Sequence, residues 1–465
     1  MNEPVVFPDR DQRINRIRSD HVIPGIRHRF GAWWRGDHKM ATGSTVTTGS
    51  QSVLHGDPDR PVKQETRRLK IGFDGRFLQD KFGGIGRYAF DLLKKLGTLS
   101  GHHEVVIFVD RSLPNARFAL PELAELEHIE LVSTHTPLRS IQEFGYWWPE
   151  ARRHHLDVFH TPDFWSPLAV PCPIVSTVHD MIPDMSREYL SSRAFGWGYR
   201  LTSRTMMWRA RAIIAISEAT LDSIGRYAGK WASRKTTVIP NGLDERFRPV
   251  TSLPALEAVR KRYNVPNRFV LSVGMRRPNK NLDRLVTAFA SMADITHGLV
   301  LVGSREERFH DRAQEPIQRL GSRVTELSSV PDEDLVALYS MADLLVHPAL
   351  AEGFGLPVLE AMACGCPVAC SNTTSLPELV GRAALQFDPT STTDIEVTMR
   401  RALESPLLRA DLRTRGLARA ATFSWEESAK STLELYRAVA TRGDLHGQAA
   451  EERRWTSDGG KEMHS

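Results

Sequence analysis

Residues 344–371 read LLVHPALAEGFGLPVLEAMACGCPVACS. The run 344–348 is apolar, and a second apolar run follows at 367–371. Between them, Gly353 and Gly355 allow a tight turn. Pro357 suits the first turn of a helix and Gly365 suits its end. The spacing predicts strand, glycine turn, helix over 357–364 and strand, which is one unit of a parallel sheet. Such a helix start points free N–H groups, from about Phe354 to Val358, out of a strand's carboxyl end, where they suit an anion such as phosphate. Glu352 stands just before that start and Glu360 about one turn inside it. Two carboxylates eight residues apart are common by themselves. Set within this strand, turn and helix, they are much more specific.

The same alternation continues outward from this stretch. Apolar, β-branched runs at 269–273, 299–303 and 324–327 alternate with helical patterns that include 281–292, after the first run, and 331–342, after the third. Upstream lies a similar series, with runs at 70–73, 105–109, 129–133, 157–160, 174–179 and 212–217. Its first run leads into Gly83-Gly84-Ile85-Gly86 and a helical pattern over 87–96. Pro240-Asn241-Gly242 marks a turn within the break at 238–249. Two such series predict an α/β protein with two Rossmann-like domains facing a cleft, and ligands beyond the carboxyl ends of the strands. The expected layout is an extension over 1–68, domains over 69–248 and 249–423, a helix over 424–442 and a tail over 443–465.

Composition narrows the function classes. The chain has 465 residues, 41% hydrophobic and 25% charged, which is ordinary globular usage. No apolar run approaches the ~20 residues of a membrane-spanning helix. Residues 1–20 are charged throughout and lack the apolar core of a secretion signal. Four cysteines are no disulfide framework, so a cytoplasmic setting is expected. The net charge of +5 is small for this length; it is compatible with an anionic small ligand or a transient membrane surface and does not by itself argue for nucleic acid. Residues 1–68 hold 12 Lys/Arg and 8 Asp/Glu without helical or strand period, the composition of a disordered extension. Within it, Phe30, Trp33 and Trp34 sit among basic residues, a second reading being contact with an anionic membrane surface.

With its two glutamates, the 347–371 segment resembles the E-x7-E segment of retaining glycosyltransferases of the GT-B fold, family 4. Residues 71–87 resemble that family's first strand and glycine-rich loop. Residues 176–180 resemble its His-Asp strand end, 215–220 and 238–244 its linker side, and 269–285 the opening of its nucleotide domain. The resemblance covers about 69–439. It implies a GT-B fold whose last helix crosses back to the first domain. It implies that Glu360 holds the nucleotide ribose, Glu352 contacts the donor sugar and Lys280 neutralises the diphosphate. Gly83 and Gly84 would let the first loop approach the diphosphate, and His179 would line the reaction centre. The backbone near Val330 would pair with the base, and Gly353, Phe354, Gly355 and Leu356 would line the donor. Many family members carry Arg after the glycine matching Gly274. Here Met275 stands there, so either Arg276 or Arg277 supplies the second cation or Lys280 works with backbone N–H groups alone.

The chemistry is consistent with this arrangement. Cleaving a sugar–diphosphate bond leaves negative charge on the diphosphate and positive charge on the sugar. A lysine, an arginine and a helix start address the first. No Asp-x-Asp metal motif stands between short strands, so transfer without a metal or other cofactor is expected. Cys364, Cys366 and Cys370 have ligand-like spacing but no local fourth ligand, and read as packed thiols. The expected function is transfer of a hexose, mannose-like or related, from a nucleotide diphosphate sugar to a glycan or lipid-linked acceptor. Peripheral contact at the inner membrane face is a further expectation. The rival readings are a GT-B epimerase and a non-catalytic nucleotide-sugar-binding subunit. The intact set Glu352, Glu360, Lys280 and His179 argues against the latter.

Overall fold

A computed structural model describes residues 68–458, apart from 100–102, 116, 139, 141, 166–168 and 191. The expectations for the extension, for Phe30, Trp33 and Trp34, and for the last residues of the tail lie outside the described residues. Among the described residues, thirteen parallel strands form two sheets. The first holds β1 (Lys70–Asp74), β2 (Glu104–Val109), β3 (Ile129–Ser133), β4 (Val158–Thr161), β5 (Ile174–Val178), β6 (Ala212–Ala215) and β7 (Thr236–Val238). Their order is β3-β2-β1-β4-β5-β6-β7. The second holds β8 (Phe269–Val273), β9 (Gly298–Val302), β10 (Val324–Leu327), β11 (Leu344–His347), β12 (Val368–Ser371) and β13 (Leu385–Phe387). Their order is β10-β9-β8-β11-β12-β13. Strand order therefore reverses between β1 and β4, and again between β8 and β11. Chains leaving such neighbours part in opposite directions and open a crevice at the strands' carboxyl ends.

Helices cover both sheets, so most central strand residues are buried on both faces and read as continuous apolar runs. Val106, Phe108, Trp147 and Phe159 fill one core. Val270, Leu285, Phe289, Leu299, Leu344 and Phe387 fill the other.

Several expected bounds shift. The helix expected over 87–96 runs Gly83–Leu99, so the glycines form its first turn rather than a loop. Gly83 is helical, at φ −47° and ψ −51°. The helix after Gly355 runs Leu356–Ala363, one residue earlier than expected. β7 and β13, three residues each, are too short for a periodic pattern and were not anticipated. The last helix runs Trp425–Asp458, beyond the expected end at 442.

Two crossings between the sheets lie side by side. Leu243 bridges Ser424, and the Ser428 hydroxyl donates to the Pro240 carbonyl at 2.6 Å. A Cβ on Gly242 would stand 2.1 Å from the Trp425 nitrogen, so only glycine permits this approach. Beyond the crossing, the last helix packs on helix Gly83–Leu99. A buried polar chain pins it there. Tyr88 meets Thr177 at 2.9 Å, Thr177 meets His160 Nε2 at 2.8 Å, and His160 Nδ1 meets the Tyr436 hydroxyl.

Candidate active site

Lys280 and Glu352 come from the two sides of the β8/β11 crevice. After β8, Gly274 takes φ 152° and lies under the lysine stem, 3.6 Å from its Cε if a Cβ were added. Pro278–Lys280 forms one 3-10 turn, ended by Asn281 in the left-handed region at φ 56°. Asparagine side chains then stitch this loop to the one after β11. Asn279 Nδ2 donates to the Ala351 carbonyl at 3.0 Å, and Asn281 Nδ2 donates to the Pro348 carbonyl at 2.9 Å. The Leu350 N–H returns to the Asn279 carbonyl at 2.8 Å.

So held, the Lys280 ammonium donates to Glu352 Oε2. His347, the last residue of β11, meets the same oxygen through Nε2 at 3.2 Å. Burial alone would raise the Glu352 carboxyl. Lys280 and the His347 hydrogen bond outweigh it and hold the group down to about 2. Burial pushes the His347 imidazolium down, so the ring is neutral near pH 7 and its Nε2–H donates to the carboxylate. The Glu352 N–H donates to Thr374 Oγ1 at 3.0 Å and its carbonyl accepts from Ser375 Oγ at 3.0 Å.

Gly353 joins this cluster to the first sheet. A Cβ there would meet the His179 carbonyl at 2.1 Å. Ser217 Oγ donates to the Gly353 carbonyl at 2.7 Å, and Thr220 Oγ1 donates to the His179 carbonyl at 3.2 Å. His179 follows β5 directly. Its Nε2 donates to the Pro162 carbonyl at 2.7 Å, and its ring lies edge-on to Tyr88 at 4.9 Å. Burial lowers its pKa, so the ring is neutral and Nδ1 keeps its lone pair.

The helix start is narrower than the sequence implies. Gly355 caps it at φ 103°, a conformation suited to glycine. Pro357 has no N–H, and the Val358 N–H is taken by the Gly355 carbonyl at 2.9 Å. Of the N–H groups expected to suit an anion, this leaves Phe354, Gly355 and Leu356. The Phe354 side chain points inward and packs on Phe423. One turn into the helix, Glu360 accepts from the Tyr339 hydroxyl at 3.0 Å. Burial raises its pKa despite the attraction of Arg87.

Arg87 is the main residue missed in the sequence. It sits one turn into helix Gly83–Leu99, buried, and pairs with Asp332 of the second sheet's half. Burial opposes its charge, but Glu360 and Asp332 more than offset this and raise its pKa. Its Nη1 is buried without a hydrogen-bond partner. The signal was its place beside Gly83 and Gly84, one helical turn on. His347 was likewise legible as the residue closing a strand at a switch point.

Arg276 and Arg277 are otherwise occupied. Arg276 is buried against Glu326 and Asp311, the latter at 3.2 Å, and Arg277 pairs with Glu306 at 3.1 Å. Val330 lies in the loop after the edge strand β10, two residues before Asp332, the partner of Arg87. Gly83 and Gly84 form a helix start instead of a loop, and a Cβ on Gly84 would meet nothing within 4 Å. The four cysteines are buried and unpaired, and among the described residues no acidic, His and Cys cluster has metal-site geometry.

Residues 82–247 match the pattern described as Glycosyltransferase Family 4, and 257–419 match Glycosyl transferases group 1. The O-antigen chain mannosyltransferase B of Escherichia coli is 30% identical over 390 residues, covering 79% of this chain and all of that protein. This chain belongs to the family 4, group 1 glycosyltransferases. It is also 33% identical over 273 residues to the serotype-specific mannosyltransferase WbdA of Escherichia coli. That match covers 57% of this chain and spans only about a third of WbdA's length, 33%. Anabaena HepE, solved with UDP-glucose, shares the GT-B fold at a TM-score of 0.63 and 23% identity, covering 79% of this chain and all of HepE.

Proposed function

We propose that this family 4 glycosyltransferase moves a hexose, mannose-like or related, from a nucleotide diphosphate sugar to a hydroxyl of a growing polysaccharide or lipid-linked glycan, with retention at the anomeric carbon. One observation carries the reading. Lys280 and Glu352 meet at the crevice of the second sheet, and Gly353 clamps that cluster to the His179 carbonyl of the first. The mannosyltransferase relatives favour mannose. The UDP-glucose bound by HepE belongs to the donor class proposed.

In this reading the donor diphosphate takes a share of the Lys280 ammonium, and Glu352 turns toward the sugar. The N–H groups at Phe354, Gly355 and Leu356 meet phosphate oxygens. Glu360 accepts from the ribose hydroxyls with the oxygen Tyr339 leaves open. The neutral His179 accepts from a sugar hydroxyl through Nδ1. As the C1–O bond to the diphosphate breaks, the Glu352 carboxylate stabilises positive charge on the sugar. The acceptor oxygen bonds C1 on the face the diphosphate leaves, and its proton passes to the departing phosphate oxygen. Unpaired thiols fit a reducing compartment.

The test is incubation with GDP-, UDP-, ADP- and dTDP-hexoses and candidate acceptors. Mass spectrometry should show gain of one hexose, and proton NMR an anomer of the donor's configuration. Free sugar without acceptor product, or an inverted anomer, sinks the reading.

A further inference from the structure

Helix Arg193–Arg209 of the first sheet's half turns apolar side chains to solvent as well as to the core. Tyr199, Met206 and Met207 face inward and are buried. On the opposite face Trp197 is 76% exposed, Leu201 73% and Trp208 72%. At about 100° per residue these three fall within about 40° of one another, so they form one stripe along the helix. A neighbouring ring extends it. Trp231 is 40% exposed, and the Lys235 ammonium ties the two together. That ammonium lies over the Trp231 ring at 5.3 Å and donates to the Trp208 carbonyl at 3.0 Å. Every tryptophan exposed by a third or more among the described residues lies in this half of the chain.

The surrounding charge is predominantly positive, with Glu218 and Asp222 the only acidic residues from 193 to 243. Residues 193–217 hold five Arg and no Asp or Glu, and residues 223–243 hold four Lys/Arg and no Asp or Glu. Arg200 and Arg204 hold the helix down through Asp184, at 3.3 and 2.8 Å. Arg211, Lys230 and Arg234 remain at the surface around Trp208 and Trp231. A protein partner would need a carboxylate-rich groove matched to a ridge of large rings. A bilayer needs only what is present: tryptophans that settle at the headgroup level and cations that meet anionic headgroups.

We propose that this face, Trp197, Leu201, Trp208 and Trp231 with its basic rim, docks the protein on an anionic lipid bilayer. It gives peripheral attachment, since no helix among the described residues is long and apolar enough to cross a membrane.

The experiment is co-sedimentation of the full-length chain with phosphatidylcholine vesicles, with and without phosphatidylglycerol. The chain should sediment with the anionic vesicles, less so as salt rises, and stay largely in solution with the neutral ones. The variant Trp197→Ala/Leu201→Ala/Trp208→Ala should lose about tenfold or more of that partition. Leu201→Glu, a single change at an exposed site, should lose part of it with an unchanged melting curve. A Phe30→Ala/Trp33→Ala/Trp34→Ala variant should keep most of it. The proposal falls if the wild type ignores anionic vesicles or if the helix variants bind like wild type. It falls equally if light scattering shows a dimer that the helix variants split, which would give the face to a second copy of the chain.

Discussion

Removing the Lys280 ammonium leaves Glu352 with His347 alone. Both side chains of the pair keep about a sixth of their exposure, 17% and 16%. The stability cost of Lys280→Ala is therefore about 1–3 kcal/mol, the cost of an under-partnered buried group, instead of that of a dry ion pair. Turnover should fall further, about 10²–10³ in kcat, because in the proposed reaction the lost charge faces the developing diphosphate. Arg276 and Arg277 hold other carboxylates, so the single variant suffices, and Lys280→Arg should keep partial activity. Wild-type kcat in Lys280→Ala would remove the diphosphate role. Glu360→Gln tests the ribose contact separately. The amide still accepts from Tyr339 but loses charge-assisted bonding, so nucleotide affinity should drop about 10-fold or more in calorimetry, at 1.5–3 kcal/mol per such bond. At this scale the sequence carried the residue types but not their pairing. The resemblance assigns Lys280 and Glu352 to different parts of the donor, whereas in the structure their side chains pair with each other. Arg87 escaped notice because its partners lie some 245 residues away, on the other sheet's half.

Two glycines differ in what surrounds them, and the elements they belong to should respond differently. Gly84 lies in the first turn of helix Gly83–Leu99 with nothing within 4 Å of an added Cβ. Gly84→Ala should raise stability by about 0.5–1 kcal/mol through lower chain entropy, seen as a higher Tm. If the donor diphosphate approaches that turn, the same methyl weakens donor binding. A higher Tm with unchanged donor affinity would place the diphosphate elsewhere. Gly353→Ala has no such room against the His179 carbonyl. It should cost about 1–3 kcal/mol by overpacking and lower kcat/KM by parting the two halves of the site. Element types were legible because period and punctuation are local. The helix over Gly83–Leu99 was under-read at its start, since glycines disfavour helix locally. Gly86 is there because a Cβ would stand 2.6 Å from the Phe118 ring and 2.8 Å from the Phe77 carbonyl, which is tertiary packing.

Charge gathers where the two halves of the molecule meet. Asp91 of helix Gly83–Leu99 is buried with Arg87 and near Asp244, Arg246 and Glu360. Burial, then the Asp244 charge, push its carboxyl up to about 7. The folded state thus keeps a proton that the unfolded chain releases near 3.8. Stability attributable to Asp91 falls as pH rises from about 4 to about 7 and is flat above. Asp91→Asn should match the wild type near about pH 4 and gain on it up to about pH 7 in denaturant titrations. Glu378, also pushed up to about 7, keeps part of the slope in the variant. A wild-type slope in Asp91→Asn would contradict the assignment. The sequence alone determined two doubly wound halves, the Pro240–Gly242 break between them, and the strand ends that carry Lys280, Glu352 and His179. Those follow from hydrophobic period and from Gly and Pro, which act within a few residues. The tertiary structure decided the rest. It set Gly353 on His179, Gly242 on Trp425, Arg87 on Asp332, and Trp197, Trp208 and Trp231 facing solvent. Such contacts depend on how distant backbones close on one another, and no local pattern encodes that distance.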